Sequence, residues 1–227
     1  MNTICAKCDA ELRGCHRLQN LTLAAIKNGS KTVDPTCSRC DNRISVEEVR
    51  DGISAASSVV IVTGTAGAGK SAIGQYIERL YGYVQIDGDA VNSVLKLRAK
   101  TDPTVCRDEY LCHREVIRTM LITLGLGYDV IISYVIELDD LKRYRQALDE
   151  YGVPHAIRAL IPEREVCLKR DSHRAGWTAG AEFVDKWHRS FEAMASTCGA
   201  ICIDTSRECL EETVARHFVP LLRESKR

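Results

Sequence analysis

The stretch Gly64-Thr65-Ala66-Gly67-Ala68-Gly69-Lys70-Ser71 fills every specified position of the pattern G-x-x-x-x-G-K-[ST]. A β-branched run, Ser58-Val59-Val60-Ile61-Val62-Thr63, precedes it, and Ser71 to Ile77 continue at helical apolar spacing. Strand, glycine turn and helix is the order that lets backbone N–H groups wrap a chain of phosphates at a positive helix end. In that frame Gly64, Thr65, Ala66, Gly67, Ala68, Gly69, Lys70 and Ser71 are the candidate nucleotide-binding residues. Lys70 supplies a mobile cation for the β- and γ-phosphates of ATP, and the Ser71 hydroxyl is the candidate Mg²⁺ ligand.

The chain has 227 residues, 45% of them hydrophobic, enough for one large domain or a medium domain with a small one. Its formal net charge of zero argues against wholesale polyanion binding and leaves a small acceptor or a short nucleic-acid contact. No apolar run approaches the roughly 18 residues needed to span a bilayer, and no apolar h-region follows the start. The eleven cysteines therefore read as thiols or metal ligands in a reducing cytoplasm.

Residues 1–43 carry two knuckles, Cys5-x-x-Cys8 and Cys37-x-x-Cys40. Each offers two thiolates to one tetrahedral ion, so Cys5, Cys8, Cys37 and Cys40 are expected to hold a structural Zn²⁺. The gap between the knuckles exceeds the usual 15–20 residues or so and requires an insert, helical in part over Leu18 to Lys27. The spacing resembles a zinc ribbon, which implies a docking module for nucleic acid or a protein partner. Residues 44–57 are expected as a linker, its helix opened by a Ser45/Glu48 capping box and running to about Ala55. Residues 58–227 form the main domain.

Within that domain, Tyr83 to Ile86 read as a strand ending in Asp87-Gly88-Asp89. Carboxylates at a strand's C-terminal end face the ligand crevice of an open α/β sheet. Asp87 and Asp89 are thus candidates for accepting an acceptor's proton and for orienting hydrated Mg²⁺, with their division of labour open. Asp89 can equally cap the helix that begins at Ala90. Asp108 to Leu126 read as a helix on which His113 and Arg114 take a solvated face. Tyr128 to Val135, His155 to Ile161 and Ala200 to Thr205 complete five strands, and Ser133 stands where many phosphate-loop proteins carry an acid.

Arg170 and Arg174, four apart on one expected helix face ahead of a loop closed by Gly180, are candidates to neutralise charge on a transferred phosphoryl group. Asp204 to Arg207, with Arg207 as a candidate nucleotide contact, follow the fifth strand where an adenine ring is expected. Glu208 to Arg223 read as the closing helix. Cys106, Cys112, Cys167, Cys198, Cys202 and Cys209 have no ligand spacing and are expected as buried small hydrophobes.

Taken together, Gly64 to Ser71, Asp87-Gly88-Asp89 and the Arg170/Arg174 pair resemble the small P-loop kinases, a group that includes gluconate kinase, adenylyl-sulfate kinase and chloramphenicol phosphotransferase. The resemblance covers about residues 58–223. It implies a five-stranded parallel sheet with helices on both faces and a lid bearing Arg170 and Arg174. The expected activity is ATP- and Mg²⁺-dependent phosphoryl transfer to a small-molecule hydroxyl. Two alternatives stay open: a polynucleotide 5′-hydroxyl kinase whose zinc module holds nucleic acid, and an ATP-dependent switch that hydrolyses slowly. The sequence does not fix the oligomeric state.

Overall fold

The computed structural model describes residues 44–101, 109–174, 178–194 and 201–222. The four zinc-ligand candidates and the expected helix of their insert lie outside these residues, as do Cys106 and Cys198.

Alternating β-branched strands and amphipathic helices fold into an α/β/α sandwich, because strands apolar on both sides must be covered on both sides. The strands are β1 (Val59–Gly64), β2 (Val84–Asp87), β3 (Val130–Ser133), β4 (His155–Leu160) and β5 (Ile201–Ile203). They lie in the order β2-β3-β1-β4-β5, and every pairing is parallel. The helices are α1 (Val46–Val49), α2 (Lys70–Tyr81), α3 (Gly88–Thr101), α4 (Glu109–Gly125), α5 (Leu138–Glu150), α6 (Arg164–Ser172), α7 (Ala181–Met194) and α8 (Leu210–His217).

The period of two along β1 divides the core. Val59 and Ile61 join Met120, Ile122, Tyr144 and Phe191 beneath the helices of one face. Val60 and Val62 join Ile73 and Ile77 of α2, Val214 of α8 and Phe218 just past it on the other. Trp187 and Phe191, one turn apart on α7, are buried core aromatics. At the upper end of β1, the Ile136 N–H donates to Thr63 Oγ1 at 2.9 Å, and that hydroxyl donates to the Ile136 carbonyl at 3.2 Å. This reciprocal pair ties the strand that launches the phosphate loop to the segment following β3.

Several expectations need correction. The helix expected through Ala55 stops at Val49 and tightens into a 3₁₀ turn over Arg50–Gly52. Ile44, Val49 and Ile53 are buried in the first core, so the expected linker packs as part of the main domain. The closing helix ends at His217, and Pro220 sits in a separate 3₁₀ turn over Val219–Leu221, because proline has no N–H to continue an α-helix. Cys112 and Cys167 are buried as expected, whereas Cys202 and Cys209 are exposed. His113 is buried: its Nδ1 lies 3.1 Å from Tyr144 Oη and its Nε2 lies 3.2 Å from Asp140 Oδ2. Arg114 is exposed, as expected.

Candidate active site

The phosphate loop leaves β1 through Gly64, turns through Gly67 and enters α2 at Gly69. Gly67 has φ +75°, and a Cβ there would stand 2.1 Å from the Cys167 carbonyl oxygen. The loop therefore presses against α6, and glycine alone lets it do so. Thr65 Oγ1 donates to the Val184 carbonyl at 3.3 Å, fixing the opposite flank to α7.

Beside the loop is a cavity of about 420 Å³, lined by Gly67 to Ile73, Asp89, Arg170, Arg174, Thr205, Glu208, Cys209, Leu210 and Thr213. Of the candidate site residues, Gly67, Ala68, Gly69, Lys70, Ser71, Asp89, Arg170 and Arg174 thus share one wall-to-wall space. Gly64, Thr65 and Ala66 form the buried stem of the loop behind it.

Lys70 Nζ donates to the Thr65 carbonyl at 2.8 Å. Burial pushes its ammonium down from 10.5 to about 8, and Arg174 pushes it further; Asp89 and Asp87 pull the other way. Arg174 is therefore the arginine that Lys70 feels. Arg170 is held elsewhere, its Nη2 donating to the Thr205 carbonyl at 2.9 Å and its Nη1 to Thr205 Oγ1 at 3.3 Å. The two do not share a helix face as their spacing predicts. α6 ends at Ser172, and Arg174 follows it in a turn.

The two acids also differ. Asp87 is 2% exposed, and its Oδ1 accepts the N–H groups of Asp89 at 2.9 Å and Ala90 at 3.4 Å. Asp87 rather than Asp89 therefore caps the helix, which starts at Gly88 and not at Ala90. Asp87 Oδ2 is buried without a hydrogen-bond partner. Burial and the neighbouring Asp89 charge push this carboxyl up, while the nearby Ser71 hydroxyl and the two backbone N–H groups pull it down. Asp89 is half-buried and lines the cavity.

A buried carboxylate oxygen without a hydrogen-bond partner, on an acid beside a loop serine, fits a hydrated Mg²⁺. This ion commonly takes one or two protein ligands and fills the rest of its shell with phosphate oxygens and water. Among the described residues, no group of three or more His, Cys, Asp or Glu side chains is placed to hold a metal by itself.

Arg207 is exposed and not among the cavity's lining residues. The wall beyond β5 comes instead from Thr205 and from the start of α8, where Cys209 caps the helix and Glu212 returns to the Cys209 N–H at 3.0 Å. That Cys-x-x-Glu spacing is a capping box with a thiol in place of the usual hydroxyl, and it was the available signal for Glu208, Cys209, Leu210 and Thr213.

Residues 59–194, more than half of the chain, match the family described as AAA domain, and the chain belongs to that family. Among solved structures it is similar to a gluconokinase from Sinorhizobium meliloti 1021, with 21% identity over 71% of this chain and 89% of that one and a TM-score of 0.53. It is similar to a sugar kinase from Janibacter sp. HTCC2649, with 22% identity over 70% and 91% and a TM-score of 0.53. It is also similar to the Deinococcus radiodurans tunicamycin resistance protein, with 15% identity over 70% and 92% and a TM-score of 0.55. The chain thus has a P-loop kinase-like fold. No match is found among curated proteins. Among the described residues, no helix is long and apolar enough to cross a membrane.

Proposed function

We propose that the protein is an ATP- and Mg²⁺-dependent phosphotransferase acting on the hydroxyl of a small-molecule acceptor. One observation carries the reading: Lys70, Ser71, Asp89, Arg170 and Arg174 line one cavity at the C-terminal edge of a parallel sheet, with Asp87 directly behind Ser71.

In this reading the loop N–H groups and Lys70 hold the triphosphate, and Arg170 holds the far end of the nucleotide through its anchorage on Thr205. Ser71 and Asp87 would hold Mg²⁺, which supplies charge neutralisation on the phosphates when bound. Asp89 accepts the acceptor hydroxyl's proton as its oxygen bonds to the γ-phosphorus. The bond from that phosphorus to the β-γ bridging oxygen breaks, and ADP leaves. Lys70 and Arg174 neutralise charge on the transferred group.

The Cys5/Cys8/Cys37/Cys40 zinc module belongs to the same proposal as a docking element, its four thiolates suiting a closed structural site. A structure similar to this chain, with a TM-score of 0.50 and 17% identity, is part of the Pnkp1/Rnl/Hen1 RNA repair complex. Polynucleotide 5′-hydroxyl ends therefore belong in the acceptor panel.

The test is transfer of label from γ-labelled ATP to sugars, nucleosides, nucleoside monophosphates, antibiotics and 5′-hydroxyl oligonucleotides. Label is expected in one small-molecule class and lost by roughly 10²–10³-fold in Lys70→Ala. Label reaching only water would replace the kinase reading with the switch.

A further inference from the structure

Asp171 lies between the two cavity arginines and plays no part in the reaction described above. It is 2% exposed, at the last turn of α6. Its Oδ2 accepts the backbone N–H groups of Ala179 at 2.8 Å and Gly180 at 3.1 Å. On the other oxygen, Oδ1 lies 3.5 Å from Arg174 Nη1, and the Arg174 N–H donates to the Asp171 carbonyl at 3.2 Å. Gly180, at φ +85°, then begins α7 by accepting the Val184 N–H at 3.1 Å. One buried carboxylate thus ties together the end of α6, the start of α7 and Arg174, one of the two cavity arginines.

A desolvated carboxylate is expensive unless every oxygen has donors, and these three groups supply them. Removing any one of these donors leaves the buried carboxylate short of a partner. The consequence falls on Arg174. This side chain follows a helix end rather than standing on a helix, so the helix backbone does not hold it. Arg174 lines the same cavity as Lys70, the cation for the terminal phosphates.

We infer that Asp171 is a positioning residue that sets Arg174 against the γ-phosphate end of the cavity by fastening the Ala179-Gly180 return to α6. This rests on the nucleotide site proposed above and not on the identity of the acceptor. Arg170, anchored separately on Thr205, is outside its control.

The test is the ratio of ATP to ADP affinity, measured by calorimetry with Mg²⁺ on the full chain. A residue that merely supports the fold would weaken both nucleotides together and leave the ratio intact. Arg174→Ala is expected to lower the ratio about tenfold, the scale of one charge-assisted hydrogen bond. Asp171→Asn places an amide against N–H donors and is expected to lower the ratio by about as much. Adding it to Arg174→Ala should cost nothing further, since both act through one side chain. Ala179→Pro removes one donor and leaves the carboxylate in place, and is expected to move the ratio the same way. It provides the reading if Asp171→Asn does not fold. Losses that add in the double variant, or an unchanged ratio in either Ala179→Pro or a folded Asp171→Asn, overturn the inference. Wild-type protein that binds neither nucleotide removes the proposed function itself, and this inference with it.

Discussion

Lys70 is the side chain on which pH acts most directly. In the free protein its ammonium titrates at about 8, because burial costs it more than Asp89 and Asp87 return. A bound triphosphate favours the charged form and raises that value again. Below about pH 8 the lysine is already protonated and binding takes up no proton. Above it the free amine must acquire one, so affinity is full at low pH and falls as pH rises through 8. Calorimetry in buffers of different ionisation enthalpy should show uptake of about half a proton per ATP at pH 8 and almost none at pH 6.5. The uptake should vanish in Lys70→Met; uptake that persists there would assign the proton to another group. Residue-level reading of the sequence located this lysine, Ser71 and the acid pair because a fixed local spacing serves their chemistry. It named Arg207, which is exposed and outside the cavity's lining, and left out Glu208 and Cys209, since which side of a turn faces a cavity depends on how α8 packs. His113 was read as solvated for a similar reason: its partners Tyr144 and Asp140 come from α5, far along the chain.

At the scale of elements, the start of α3 positions both acids, Asp87 as its cap and Asp89 in its first turn, and its placement depends on Gly88. A Cβ on Gly88 would lie 2.1–2.6 Å from the ring and Cβ of Tyr134, which is itself buried against His113 with ring centroids 5.1 Å apart. The ring has nowhere to retreat, so Gly88→Ala must push the helix start outward. Overpacking of this kind costs about 1–3 kcal/mol of stability. A shift of order 1 Å at the carboxylates would lower phosphoryl transfer by about 10²-fold. ATP affinity measured without Mg²⁺ should stay near wild type, because the phosphate loop and Lys70 stand on α2. Equal losses with and without Mg²⁺ would mean that the substitution disturbs the loop as well. The strand–loop–helix order, all five strands and the parallel arrangement were legible in the sequence, as period-two apolar runs and glycine stops are local signals. The ends of α1, α6 and α8 were not. Those ends answer to tertiary contacts such as the Asp171 tie and to the single imino acid at Pro220.

For the whole molecule, the cavity and the cysteine knuckles draw on separate parts of the chain. Among the described residues the cavity is lined only between Gly67 and Thr213, while the four knuckle cysteines all precede Asp41. A four-thiolate zinc site stabilises its own segment, because so short a stretch cannot bury enough surface to fold by itself. Binding of nucleotide to the phosphate loop and binding of zinc to the knuckles should therefore be energetically independent. Metal analysis of the full chain should give one zinc, and Cys37→Ser should lose it while MgATP affinity stays within about twofold, the limit expected of independent sites. Saturating MgATP at 100 times Kd should still add about 2.7 kcal/mol to the phosphate-loop domain, with or without zinc. If the acceptor is a small molecule, turnover should also survive zinc loss. If it is a polynucleotide end held by the module, Cys37→Ser should weaken acceptor binding, and the salt dependence of that binding should flatten as phosphate contacts disappear. Wild-type protein free of zinc would remove the module from the account. A fall in MgATP affinity on zinc loss would instead mean that residues 1–43 reach the nucleotide site.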